Sequence, residues 1–106
     1  MKKRVCMIGE GAWGTAVATL LAHNGYAVKL WCHDATVADS IMKTGFNHRY
    51  LPGIKLDPSI EATDDLTYAV SDVPLIFEAI PVQFLRSVIE QIRDAVTEKQ
   101  TWVVLS

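Results

Sequence analysis

Two hydrophobic patterns alternate along the chain. Short unbroken apolar runs are separated by longer stretches in which apolar residues recur every three or four positions. The runs "RVCMI" (4–8), "YAVKLW" (26–31), "VPLIFEAI" (73–80) and "TWVVLS" (101–106) have strand length and are apolar at almost every position. Such runs predict strands buried on both faces. "SIEAT" (59–63) reads as a shorter strand. Between them, Ala16, Val17, Leu20 and Leu21 mark a helix over Trp13–Asn24, with Gly25 as its stop. Asp34 is placed to cap a second helix reaching Lys43. "DDLTYAVSD" (64–72) reads as a short capped helix. Val82, Leu85, Ile89, Ile92 and Val96 form an apolar stripe on a fourth helix. Residues 44–58 break both patterns with two glycines and two prolines, and are expected to form a long functional loop.

The predicted order is strand and helix in strict alternation, ending on a fifth strand. That order implies an α/β fold with a doubly wound parallel sheet. Right-handed crossovers give the expected strand order 3-2-1-4-5, with a ligand crevice at the carboxyl ends of strands one and four. All 106 residues form one domain on this reading. The last strand runs to the end of the sequence. An open sheet edge is therefore expected there, and with it self-association, for example as a homodimer.

Composition narrows the class. Half of the residues are apolar, enough for one core, and the formal net charge is -2 with acids and bases interspersed. That balance argues against a broad nucleic-acid-binding face. No run is long enough for membrane insertion, and only "VCMI" follows the basic "MKKR", too short for a secretory signal. Cys6 and Cys32 both fall in apolar runs and read as buried free thiols. A cytoplasmic location is the default expectation. No residue cluster has metal-ligand spacing, and no serine or cysteine has the setting of a nucleophile.

The chemistry-bearing signal is "GEGAWGTA". Gly9, Gly11 and Gly14 fit G-x-G-x-x-G, directly after a predicted strand and at the mouth of a predicted helix. In that setting Gly9 permits a tight turn, Gly11 lets a pyrophosphate approach the backbone, and Gly14 lets the helix pack closely. The free amides of the first helical turn face the phosphates. About twenty residues on, an NAD site usually has an acid at the end of the second strand. Here "LWCHD" offers no clear acid. Asp34 suits a helix cap better, and His33 can lie against an adenine or donate to a 2′-phosphate. This leans toward NADP, or toward tolerance of both cofactors. Phe84 reads equally well as a stacking wall or as core. Glu78, inside an apolar strand, is expected to find a hydrogen-bond partner or to reach solvent at a sheet edge. His23 can interact with a helix end. His48 and Arg49 read as a solvated turn.

"GEGAWGTA", "NGYAVKLW", "NHRYLPGIKL" and "FEAIPVQFLRSVIEQI" together resemble the N-terminal domain of NAD(P)-dependent glycerol-3-phosphate dehydrogenases of the bacterial type. The G-x-G-x-W-G-T-A form and the Asn47–Gly53 stretch are narrower signals than the generic fingerprint. The resemblance implies a Rossmann-like domain that binds NADPH or NADH through Gly9, Gly11, Ala12, Trp13 and Gly14. It places His33 near the adenosine end and Tyr50 and Phe84 in the cofactor cleft. It also implies hydride transfer between NAD(P)H and dihydroxyacetone phosphate, giving sn-glycerol 3-phosphate for phospholipid synthesis. In the family the catalytic lysines and most of the substrate-phosphate site lie beyond the stretch corresponding to Ser106, in part on a helical C-terminal domain. This chain is therefore expected to hold no catalytic residue and to be inactive alone. Glu10 and Glu78 depart from the small or apolar residues common in the family. Two other readings share the fold: another Rossmann reductase, of the hydroxyacid or ketopantoate type, and a non-catalytic nucleotide sensor.

Overall fold

The computed structural model describes residues 2–105, so the final position of the fifth apolar run, Ser106, lies outside them. Five strands and four helices alternate: β1 (Arg4–Ile8), α1 (Ala12–His23), β2 (Ala27–Trp31), α2 (Ala35–Thr44), β3 (Glu61–Thr63), α3 (Leu66–Val70), β4 (Leu75–Glu78), α4 (Val82–Ile92) and β5 (Thr101–Val104). All pair in parallel in the order β3-β2-β1-β4-β5, as the alternation predicts.

The period-two geometry of β1 divides the core. Val5 and Met7 point to one face, where they meet Ala18, Ala22, Val37 and Ile41 of α1 and α2. Cys6 and Ile8 point to the other, against Leu66 and Ala69 of α3 and Val88 and Ile92 of α4. Burial on both faces explains why these strands carry no polar alternation. The two thiols lie in separate clusters and are free. Burial pushes each up to about 12, for Cys32 with help from the negative charges of Glu10, Asp34 and Asp64.

Two helix faces differ from the sequence expectation. On α1 the inward residues are Gly14, Thr15, Ala18 and Ala22, while Leu20 is exposed and Val17 and Leu21 pack at the margin. Small residues at i and i+4 bring this helix close to the sheet, and hydrophobicity alone does not reveal that preference. On α4 the buried positions are Val88 and Ile92, whereas Val82 and Ile89 are exposed. This helix ends at Ile92, whose carbonyl accepts from both Ala95 and Val96, so the last part of the expected stripe forms a turn.

Glu78 does not reach a sheet edge. It lies on β4 between Ile8 of β1 and Val104 of β5, only 1% exposed. Its Oε1 accepts from the Ile80 backbone amide at 2.8 Å. The carboxylate thus helps fold the chain into the turn that leads to α4. Residues 44–58 are shaped by an isolated bridge between Phe46 and Lys55 and by the fully buried Asn47. Among the described residues, no helix is long and apolar enough to cross a membrane.

Candidate functional site

At the carboxyl ends of β1 and β4 lies a cleft with a cavity of about 620 Å³. All eight residues singled out from the sequence line it: Gly9, Gly11, Ala12, Trp13 and Gly14 from the β1–α1 turn, His33 after β2, Tyr50 from the long loop and Phe84 on α4. Trp13 is 60% exposed and Phe84 52%, so both are walls of the cleft rather than core. His33 stands edge-on to Trp31, 5.9 Å between ring centroids.

The three glycines are needed for different reasons. Gly9 has φ 124°, a conformation that side chains disfavour, and a Cβ there would press on the Ala79 carbonyl. A Cβ on Gly14 would run into the Gly9 carbonyl oxygen, so the close contact is with the turn itself and with Ala79. Gly11 is the opposite case. Its φ is −61°, and a Cβ would meet nothing within 4 Å. Neither backbone angle nor packing requires glycine at that position. A group approaching from the cleft would require it.

Gly11 is also the N-cap of α1, and no side chain caps this helix. Its first turn carries no acidic residue. The amides of Ala12, Trp13 and Gly14 precede the first helical bond, from Thr15 N to the Gly11 carbonyl. An uncapped helix start of this kind is a ready anion site. α4 also starts uncapped, behind Pro81, with its first turn on the same cleft. The amide array, the open space over Gly11 and the exposed aromatic walls fit a long, phosphate-bearing ligand with flat rings.

Three contributors escaped the sequence reading. Asn47 Nδ2 donates to the Glu10 carbonyl at 2.8 Å and to Thr15 Oγ1 at 2.9 Å, while its Oδ1 accepts from the Tyr50 amide. Thr15 Oγ1 in turn donates to the Glu10 carbonyl. One buried amide therefore pins the glycine turn, α1 and the long loop together. The narrowness of the "NHRYLPG" stretch was the available signal. Arg49 is exposed, as expected of a turn, but its Nη1 lies 2.7 Å from Asp34 Oδ2, and the guanidinium sits over the Tyr50 ring. Glu10 is buried, and its Oε2 accepts from the Asp34 amide at 2.8 Å. Asp34 itself caps α2 through Thr36, whose side-chain and backbone bonds hold its carboxyl below the ordinary value, with Arg49 and His33 adding to the shift. His23, at the end of α1, has a partner besides the helix end: Asp57, at 3.4 Å.

The fold and this cleft define a Rossmann-like α/β domain with its crevice at the switch between β1 and β4. Residues 4–106 match the family described as the N-terminus of NAD-dependent glycerol-3-phosphate dehydrogenase, and the chain belongs to that family. It is 40% identical over 104 residues to a glycerol-3-phosphate dehydrogenase [NAD(P)+] of Bacillus subtilis, covering 98% of this chain and 30% of that protein. The figure is 44% over 94 residues for the Acinetobacter baylyi protein of the same name, covering 89% of this chain and 26% of that one. A solved glycerol-3-phosphate dehydrogenase from Coxiella burnetii superposes with a TM-score of 0.91 at 29% identity, over 97% of this chain and 32% of that one. The chain thus spans about 30% of the length of the curated relative from Bacillus subtilis.

Proposed function

We propose that this domain binds NADH or NADPH in the β1–β4 cleft and serves as the cofactor-binding part of a glycerol-3-phosphate dehydrogenase. In the whole enzyme it would hold the nicotinamide for hydride transfer to dihydroxyacetone phosphate, giving sn-glycerol 3-phosphate. The cofactor supplies the redox chemistry, and the protein binds and orients it. Gly11, Ala12, Trp13 and Gly14 would receive the pyrophosphate at the start of α1. His33 and Tyr50 would flank the adenosine half, and Phe84 the far wall. The catalytic lysines and the helical substrate domain belong to the part of the enzyme that follows this domain, so the domain alone would be inactive. Two buried free thiols suit a reducing compartment such as the cytoplasm. The β5 edge, where Val104 is exposed, suits association with the rest of the enzyme or with a second copy.

The observation that carries the proposal is the empty space over Gly11. A Cβ at Gly11 would meet nothing within 4 Å and the φ is ordinary, so Gly11→Val should fold. It should also block the approach of a pyrophosphate. Calorimetric titration with NADH and NADPH should show binding to the wild-type chain and at least ~100-fold weaker binding to Gly11→Val, about 2.7 kcal/mol. Equal affinity in both proteins would sink the proposal.

A further inference from the structure

The end of β2 is where an acid that accepts a ribose 2′-hydroxyl ordinarily sits. Trp31, Cys32 and His33 supply none, and Asp34 is occupied: Oδ1 holds Thr36 and Oδ2 holds Arg49. The structure nevertheless puts a second carboxylate there, and it comes from the glycine turn. Glu10 reaches across from β1 so that its Oε2 lies 2.8 Å from the Asp34 amide, just past the end of β2. Glu10 also lines the cleft. Among the described residues its Oε1 receives no protein hydrogen bond. Every fully buried side-chain nitrogen or oxygen among the described residues has a partner, so Oε1 is not fully enclosed, and the residue it belongs to lines the cleft.

We propose that Glu10 is the specificity-determining residue for the cofactor's ribose. From the first turn it substitutes for the acid that the second strand lacks. Its Oε1 accepts from a 2′-hydroxyl, and its charge repels a 2′-phosphate, so the domain selects NADH over NADPH. This rests on the dinucleotide reading above, and it reverses the lean toward NADP that the strand end alone suggests. The groups that would favour a 2′-phosphate at this end are Arg49 and His33. The Arg49 guanidinium is paired with Asp34 through Nη1, so a 2′-phosphate would have to share it with that carboxylate. A 2′-phosphate would therefore compete with Asp34 for Arg49 and would still sit beside Glu10.

The test is calorimetric titration of the chain and of Glu10→Gln and Glu10→Ala with NADH, NADPH, ADP and adenosine 2′,5′-bisphosphate. A melting curve for each protein reports folding. Glu10→Gln keeps an oxygen for the Asp34 amide, removes the charge and turns the Oε1 acceptor into an NH2 donor. Should Glu10→Ala fail to fold, Glu10→Gln carries the test alone. The wild type should bind NADH about tenfold more tightly than NADPH, as expected for a like-charge contact in a partly screened site. In Glu10→Gln the ratio should fall to near one, chiefly through tighter binding of NADPH. Adenosine 2′,5′-bisphosphate should gain on ADP in the same way. A wild type that prefers NADPH, or a ratio unchanged in Glu10→Gln, would overturn the assignment and point to Arg49 and His33 instead. A folded wild type that binds neither dinucleotide would overturn the dinucleotide reading, and this one with it.

Discussion

The four helices start in two contrasting ways. α2 and α3 are closed by their own side chains: Asp34 accepts from the Thr36 amide, and Asp65 from the Tyr68 amide. α1 and α4 have no side-chain cap, and both begin at the cleft, which the α2 cap Asp34 also lines. A cap satisfies amides and stabilises the fold by about 1 kcal/mol. Leaving two helices without one forgoes that stability and keeps their amides and positive dipole ends available. At α1 and α4 the first amides stay free for a ligand, whereas at α2 and α3 a side chain takes them.

The comparison can be broken most severely at Gly14. Its Cβ would collide with the Gly9 carbonyl, a backbone atom that cannot swing aside, so Gly14→Ala should cost about 3 kcal/mol and distort the turn. Denaturant unfolding measures this directly. Asn47→Ala removes the donor shared by Glu10 and Thr15 and should cost about 2 kcal/mol. It should also weaken dinucleotide binding, because the turn and the long loop lose their common anchor. Asp65→Ala removes a cap remote from the cleft. It should cost about 1 kcal/mol and leave binding unchanged. Gly11→Asp sharpens the contrast from the other side. A capping carboxylate should raise stability by a few tenths of a kcal/mol and abolish binding. Thermal melting paired with titration separates the two effects.

Much of this was legible in the sequence because it is local or periodic. The strands are apolar on both faces, and "GEGAWGTA" sits between a strand and a helix, which located the cleft; eight of its lining residues were named, Tyr50 through the family resemblance alone. What escaped depends on distant partners or on volume. Asn47 bonds residues 37 and 32 positions away. Glu10 finds its donor 24 positions away. The inward face of α1 is chosen by size, so the small Ala18 and Ala22 displace Leu20. Glu78 is satisfied by an amide two residues on, in a turn whose shape the pattern does not specify. On α4, periodicity finds an apolar stripe but cannot distinguish the residues that face the core from Phe84, which faces the cleft.

The most direct test of the central claim is to follow backbone amide resonances while NADH is added. The account predicts the largest shifts at Gly11, Ala12, Trp13 and Gly14, with smaller ones at the start of α4 and at His33 and Asp34 before α2, and little change at the capped first turn of α3, which lies away from the cleft. Shifts of equal size at all four helix starts, or none at Gly11–Gly14 when binding is evident, would contradict it.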